Sequence, residues 1–195
     1  METPVLSRYI AFLRAINVGG HTVKMMTLRQ LFESFGFIEV ETFIASGNVI
    51  FQTSYQKTAT IEAQIASGMQ TSLGYEVATF VRTEVELAQI AACQAFSQAE
   101  VEAATAYNIA FLPGRLDDQA KQRLMRLRTV IDNFATHGRE VYWLCSRLQS
   151  QSTFSNAVLE KTLGVRSTIR GVNTVCKIAA LIAAPKRQLG NQVIG

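Results

Sequence analysis

VETFIASGNVIFQTS, residues 40–54, carries the clearest signal of the chain's architecture. Apolar residues alternate or run together on both sides of Gly47-Asn48. Two such runs around a Gly-Asn step predict a pair of antiparallel strands joined by a tight reversal. The elements on each side of this hairpin therefore determine the architecture.

The segment before the hairpin predicts a strand and a helix. RYIAFLRAI, residues 8–16, is an apolar run typical of a buried strand. Thr27 is placed to cap the helix, Gln30 completes a capping box, and Met26 supplies one half of a hydrophobic staple. Gly36 suits the position just past the end of the helix.

The segment after the hairpin predicts another helix and another strand. Apolar residues recur at every fourth position before Gly74, at Ile61, Ile65, Met69 and Leu73. YEVATFVR, residues 75–82, then predicts a strand. The order through residue 82 is βαββαβ, which is the order of the ferredoxin-like unit.

The same pattern recurs in the second half of the chain. After a helical connection at 83–104, we expect a strand at 105–112 and a helix, then two strands around His137-Gly138. A short helix at 157–163, a strand at 165–170 and a last helix capped by Thr174 follow.

The predicted fold class is α+β, with two ferredoxin-like α/β sandwich subdomains related by internal duplication. AFL occurs at 11–13 and again at 110–112, each time before a helix and a glycine-centred reversal. The expected divisions are an N-terminal subdomain at 1–82, the connection at 83–104, a C-terminal subdomain at 105–184 and a polar tail at 185–195.

Composition bounds the classes of protein that the chain can be. Its 195 residues are 48% hydrophobic and 17% charged, which is ample for a packed core. Neither a membrane-spanning run nor a signal-peptide pattern is present. The three cysteines are odd in number and lie in apolar runs, which favours a reduced, cytoplasmic location.

Charge is spread unevenly between the two halves. Residues 1–97 carry 6 Lys and Arg against 8 Asp and Glu, whereas residues 98–195 carry 13 against 7. A basic second half could attract nucleic acid or phosphate. The alternative is an ordinary solvated basic surface.

The usual signatures of enzymes and metal sites are absent. The sequence contains no dinucleotide fingerprint, P-loop or nucleophile elbow. His21 and His137 are isolated, and no Cys or His spacing matches a zinc site. We therefore expect no metal and no cofactor.

Polar residues nevertheless cluster where packing does not require them. Arginine offers a bidentate fork to phosphate or carboxylate, asparagine and serine donate hydrogen bonds, and glycine lets the backbone approach a ligand. Predicted helix N-termini near Asn156 and Thr174 add free N–H groups. The set lacks a strong general base, so it predicts an anion-holding site. Its members are Arg14, Asn17, Gly19, Gly20, Lys24, Ser46, Gly47, Asn48, Ser155, Asn156, Arg170, Asn173, Thr174 and Lys177.

Structural roles are the alternative for the same residues. Ser155, Asn156, Asn173 and Thr174 are all residue types that cap helices. Gly47-Asn48 is typical of a turn. The arginines at 14 and 170 could form ion pairs inside the fold, with the carboxylate at 160 as one partner.

Four stretches of the chain resemble the domain-of-unknown-function 1697 family. They are LRAINVGGHTVKM (13–25), TFIASGNVIF (42–51), STFSNAVLEKTLGV (152–165) and TIRGVNTVCKIAAL (168–181). The resemblance covers roughly residues 8–184 and implies a bacterial, typically cytosolic protein with two ferredoxin-like subdomains. No catalytic role is assigned to the family's signature residues. Ala15 replaces a common glycine, and Val172 replaces a frequent tryptophan, so a ligand that stacks on that ring would bind differently here.

Three functions remain open from the sequence. The first is a binding module for a phosphate-bearing ligand, a nucleotide or RNA, in a crevice between the subdomains, although Phe43 and Phe51 are more typical of core than of base stacking. The second is an enzyme whose Ser46 or Ser155 is activated by a lysine at 24 or 177. The third is a protein-interaction module whose signature residues only hold the subdomains together. No membrane partner is expected, and the oligomeric state stays undetermined.

Overall fold

The computed structural model describes residues 5–14, 16–17, 22–44 and 47–184. The first half contains β1 Ser7–Leu13, α1 Met25–Ser34, β2 Ile38–Phe43, β3 Asn48–Thr53, α2 Thr58–Leu73 and β4 Thr79–Thr83. The connection contains α3 Glu84–Ala92 and α4 Gln98–Ala103. The second half contains β5 Ala106–Phe111, α5 Asp118–Met125, β6 Asp132–His137, β7 Glu140–Cys145, α6 Asn156–Leu163, β8 Thr168–Gly171 and α7 Val172–Ala183.

The strands form two four-stranded antiparallel sheets with flanking helices, so the α+β class is confirmed. The strand order is β2-β3-β1-β4 in the first sheet and β6-β7-β5-β8 in the second. The central strands β1 and β5 each lie between two antiparallel neighbours. The predicted hairpin at Gly47-Asn48 joins β2 to β3 and is confirmed.

Both faces of each sheet are covered. Along β1, Tyr9 and Ala11 pack against α1 and α2, whereas Ile10 and Phe12 face the second sheet. The second sheet packs its outer face on α5 and α6. Between the sheets, the rings of Phe12 and Phe111 stack with centroids 3.9 Å apart. The period-two alternation of the strands thus builds one core in the middle and one under each helical layer.

The helices α3 and α7 cross from one sheet to the other. α3 follows β4 of the first sheet, but the Tyr142 hydroxyl on β7 donates to the carbonyl oxygen of Ile90 in α3, at 3.2 Å. α7 follows β8 of the second sheet, but Arg8 on β1 donates to the carbonyl oxygen of Ile182 at 2.9 Å. Each sheet is therefore followed by a helix that contacts the other sheet.

The predicted start of α1 is wrong. The helix begins at Met25 with Lys24 at the cap, so Thr27 lies inside the first turn and forms no capping box. Met26 is 72% exposed and makes no hydrophobic staple. The cause is tertiary: Val23 is buried and its N–H donates to Asn17 Oδ1 at 2.7 Å, which places the helix cap at Lys24, three residues earlier than the local signal at Thr27.

The predicted start of α7 is also wrong. Gly171 still pairs with Asn108 at the end of β8, and the helix begins directly at Val172. Thr174 therefore lies within the first turn and is not a cap. The strand predicted at 75–82 begins only at Thr79. The predicted tail at 185–195 lies outside the described residues. None of the described helices is long and apolar enough to cross a membrane.

Candidate functional site

Several of the predicted site residues meet at the end of β1. The N–H of Leu13 donates to the carbonyl oxygen of Gly47 at 2.8 Å, and the carbonyl oxygen of Leu13 accepts from Arg170 at 2.8 Å. Arg14 follows directly and reaches α6. We call this cluster the polar junction; its members are Arg14, Asn48, Asn156, Glu160, Ser167 and Arg170.

Arg170 is the part of the polar junction that crosses from the second sheet to the first. Its Nε donates to Asn48 Oδ1 at 2.6 Å, and its Nη1 donates to Thr168 Oγ1 at 2.8 Å. Asn48 is fully buried and donates in turn to the carbonyl oxygen of Phe43. Burial lowers the pKa of Arg170 to about 10. This guanidinium donates to groups of the fold itself, not to an open crevice.

Arg14 forms a bidentate ion pair with Glu160. Its Nε and Nη2 each lie 2.7 Å from a Glu160 oxygen. Burial opposes the ionised carboxylate, but the bonds from Arg14 and from the N–H of Ser167 outweigh it, so the pKa of Glu160 lies below its usual range. The hydrogen bond to Glu160 raises the pKa of Arg14. Ion pairing with Glu160, one of the alternatives for Arg14, is what the structure contains.

Asn156 and Ser167 close the polar junction behind Glu160. The side-chain amide of Asn156 donates to the carbonyl oxygen of Ser167 at 3.0 Å, and the Ser167 hydroxyl donates back to Asn156 Oδ1 at 2.8 Å. Ser155 caps α6 by accepting the N–H of Val158 at 3.3 Å. The cap predicted for Ser155 is confirmed, whereas Asn156 is the first residue of the helix.

Gly47 is required by its surroundings. Its φ is +71°, and a Cβ on it would lie 2.7 Å from Ile16 Cγ2. Left-handed backbone and close approach both favour glycine at this turn. Gly47 thus has a steric role at the polar junction.

The remaining predicted site residues do not join the polar junction. Gly19, Gly20 and Ser46 lie outside the described residues. Lys24, Asn173 and Lys177 are exposed, and Thr174 is half-buried on α7. Within the described ranges, no hydrogen bond or ion pair links these four residues to the polar junction, and no lysine bonds to Ser155. The described members of the predicted set therefore divide into a group bonded within the fold, which includes Asn17, and a mostly exposed group formed by these four residues.

Arg82 on β4 is a buried arginine that sequence reasoning missed. It is fully buried, donates to Glu140 Oε1 at 2.7 Å and donates to the carbonyl oxygen of Leu112 at 2.9 Å. Burial is the largest cause that lowers the pKa of Arg82. The one available signal was a charged residue inside an otherwise apolar strand.

A basic cleft lies between α3 and the turn that joins β6 to β7. Two adjoining cavities of about 230 and 320 Å³ share Arg115, His137, Gly138 and Glu140 along their walls. Lys121 also lines the second cavity. We call this feature the basic cleft. The sequence offered only its exposed cations as a signal, and those were equally typical of a solvated face.

The carboxylates of the basic cleft are already engaged with other cations. Glu140 bonds to Arg82, and Glu86 accepts from Arg139 at 2.8 Å. Burial opposes ionisation of Glu86, but bonds from the Thr83 N–H and from Arg139 prevail and lower its pKa. No hydrogen bond or ion pair to the side chain of Arg115 or of His137 occurs among the described residues. The Arg115 guanidinium and the His137 imidazole can therefore bind a ligand without displacing an internal partner.

Comparison with known proteins gives a family and a fold. A family model described as "Protein of unknown function (DUF1697)" matches residues 6–142. The solved structure of the conserved bacterial protein SP0830 from Streptococcus pneumoniae is similar, with a TM-score of 0.70 and 22% identity over 91% of this chain and 99% of that one. At that identity the likeness concerns the fold alone. No curated protein matches the chain.

Proposed function

The chain belongs to the DUF1697 family of proteins of unknown function, and we propose that it is a binding protein for a small phosphate-bearing ligand. We propose the basic cleft as its site, in place of the crevice predicted from the signature residues. The observation that carries this proposal is the pair Arg115 and His137, which line the cleft without an internal partner among the described residues.

The chemistry of the basic cleft suits a phosphate group. Arg115 offers the planar fork that matches phosphate oxygens, and the His137 imidazole offers an N–H in either protonation state. Lys121 is held only by an exposed pair with Asp118 at 3.0 Å, and such pairs are weak, so it can turn toward a ligand. The larger cavity, about 320 Å³, lies at the lower end of the range of ligand pockets, roughly 300–1,000 Å³, and the smaller one adjoins it.

A small ligand fits better than RNA. Modules that read RNA on a sheet stack bases on exposed aromatic rings. Here Phe51 is fully buried against the helical layer, and Phe12 stacks on Phe111 between the sheets. Neither face of either sheet is open for that mode of recognition.

The test is thermal unfolding at low salt against inorganic phosphate, nucleotides, sugar phosphates and short RNAs. A ligand at about 100 times its Kd stabilises a protein by about 2.7 kcal/mol, or roughly 5–10 °C for a chain of this size. Arg115→Ala should weaken that ligand at least about tenfold. Arg126→Ala removes another exposed arginine, which lies outside the cleft, and should leave the shift intact. Lys177→Ala tests the exposed group of predicted residues.

Each other outcome rejects one part of the proposal. If a ligand raises the unfolding temperature of Arg115→Ala and of wild type equally, the basic cleft is not its site. A shift with RNA alone would reject the small ligand. A shift lost in Lys177→Ala but kept in Arg115→Ala would return the site to the start of α7. A flat panel would reject the function.

A protein-interaction module is the second candidate, and one observation favours it. The polar junction gives Arg14, Asn48 and Arg170 partners inside the fold, as expected if the signature residues hold the two halves together. Under this function the panel is flat while substitutions in the polar junction still destabilise the protein. The two candidates therefore differ in a single experiment.

We further propose that the two halves are ferredoxin-like units related by internal duplication, divided as predicted at 1–82, 83–104 and 105–184. Equivalent registers support this: Phe12 pairs with Asn48 as Phe111 pairs with Glu140. A sequence profile of relatives over the first unit should align with the second so that Arg82 falls on Arg170. An alignment in another register would contradict the duplication. A cytoplasmic location remains our expectation.

A further inference from the structure

Two cysteines lie at the seam where α3 and α7 pack together. Cys176 is exposed on α7, and its Sγ is 4.0 Å from the carbonyl oxygen of Ala91 in α3. Cys93 is the residue at which α3 ends, two positions beyond Ala91, and it is half-buried. The helices that follow the two sheets therefore each bring one thiol to the same seam.

Two tyrosines surround this pair of thiols. Burial, and then a hydrogen bond with Cys93, raise the pKa of Tyr142, whose hydroxyl donates to Ile90. Burial, and then the neighbouring charges of Cys93 and Cys176, raise the pKa of Tyr107 to about 12. Cys93 packs with Ala91 and Tyr107 against the core between the sheets, and Cys176 contacts the carbonyl oxygen of the same Ala91, so the geometry brings the two thiols to one seam.

We infer that Cys93 and Cys176 form a redox-modification site at which a hydroperoxide generates a disulfide between α3 and α7. This inference is independent of the proposed ligand-binding function. It requires no residue of the basic cleft or of the polar junction.

The reaction balances with a hydroperoxide as the oxidant. The exposed Cys176 thiolate attacks the distal oxygen, the O–O bond breaks, and Cys176 becomes a sulfenic acid while an alcohol, or water from hydrogen peroxide, leaves. The Cys93 thiolate then attacks the sulfenyl sulfur, the S–S bond forms, and hydroxide departs as water after protonation. Two thiols are oxidised and one peroxide is reduced.

The disulfide would tie the helix that follows the first sheet to the helix that follows the second. Such a link closes a long loop and restricts the unfolded chain. We expect the oxidised protein to unfold at a temperature higher by roughly 5–15 °C. A thiol reductant should reverse the change.

The test treats the folded full-length protein with stoichiometric hydrogen peroxide, blocks free thiols with N-ethylmaleimide under denaturing conditions and measures the intact mass. Wild type should lose two hydrogens, retain a single blocked thiol and yield a crosslinked peptide that contains Cys93 and Cys176. Cys145→Ser is the matched control, because Cys145 is fully buried on the other face of the second sheet. It should form the same crosslink and retain no blocked thiol.

The variants Cys93→Ser and Cys176→Ser should each abolish the internal crosslink, and the alanine variants serve if a serine variant fails to fold. Sulfinic acid at Cys176 in wild type without a crosslink would overturn the inference. A crosslink between two chains through Cys176 in place of the internal one would also overturn it.

Discussion

Arg82 and Arg170 are reciprocal across the two sheets. Arg82 leaves the first sheet and donates to the carbonyl oxygen of Leu112 at the end of β5, and Arg170 leaves the second sheet and donates to that of Leu13 at the end of β1. Each guanidinium also lies over a ring of the opposite sheet, at 5.5 and 5.9 Å from the centroid. Each half thus supplies a buried guanidinium that donates hydrogen bonds to the other half.

The two arginines should differ in what their removal costs. Arg82→Ala leaves Glu140, only 5% exposed, as a buried carboxylate without its cation, and should cost about 3–5 kcal/mol. Arg170→Ala leaves the neutral acceptors of Asn48 and Leu13 and should cost about 1–3 kcal/mol. Urea unfolding at neutral pH measures both. A larger cost for Arg170→Ala would contradict this account.

A second substitution separates the cost of the unpaired Glu140 carboxylate from the other effects of removing Arg82. In a Glu140→Gln background, Arg82→Ala should cost less than it does in wild type, because no buried carboxylate is left behind. Equal costs in the two backgrounds would show that the ion pair is not the source of the effect.

The pH dependence of stability should carry the signature of Glu160. Its pKa in the folded protein lies below that of the unfolded chain, about 4.3 for a glutamate. Its contribution is therefore fully present above the unfolded pKa and is lost as pH falls through the folded pKa. Glu160→Gln should be less stable than wild type at neutral pH and should lose less stability on acidification.

Urea midpoints across the acid range compare wild type with Glu160→Gln. Arg14 is partly exposed, so the effect is smaller than for a buried pair. Parallel curves for the two proteins would show that another carboxylate governs the acid response.

Substitution of three glycines by alanine should destabilise the protein to increasing extents, in a fixed order. Gly114→Ala meets no atom within 4 Å and should stay within about 0.5 kcal/mol of wild type. Gly74→Ala adds left-handed strain at φ +80° and should cost about 1 kcal/mol. Gly47→Ala adds both strain and a 2.7 Å approach to Ile16 and should cost more than about 2 kcal/mol. A different order would mean that the turn at Gly47 is not held as described.

Local periodicity predicted the order of the elements because each strand and helix carries its own apolar pattern. The four-residue repeat from Ile61 to Leu73 marked α2 correctly, and Gly74 ends it in the left-handed conformation. Helix starts were less predictable. Thr27 and Thr174 are good caps locally, but tertiary contacts at Val23 and at Gly171 place both caps three residues earlier than those signals, at Lys24 and Gly171.

The contacts of the candidate site were beyond sequence reasoning because they are distant along the chain. Arg170 bonds to Asn48 across 122 positions, and Arg14 bonds to Glu160 across 146. The residue types suggested anion binding or internal pairing equally well. Only the fold distinguishes them, and it also reveals Arg82, which no local pattern marked as the counterpart of Arg170.

We expect Arg82 and Arg170 to couple the two halves into one cooperative unit. The most direct test compares urea unfolding followed by far-UV circular dichroism, which reports on both halves, with the fluorescence of Trp143, the single tryptophan, which reports on the second. The two transitions should coincide in wild type and separate in Arg82→Ala/Arg170→Ala. Separate transitions in wild type, or coincident and unshifted ones in the variant, would contradict the claim.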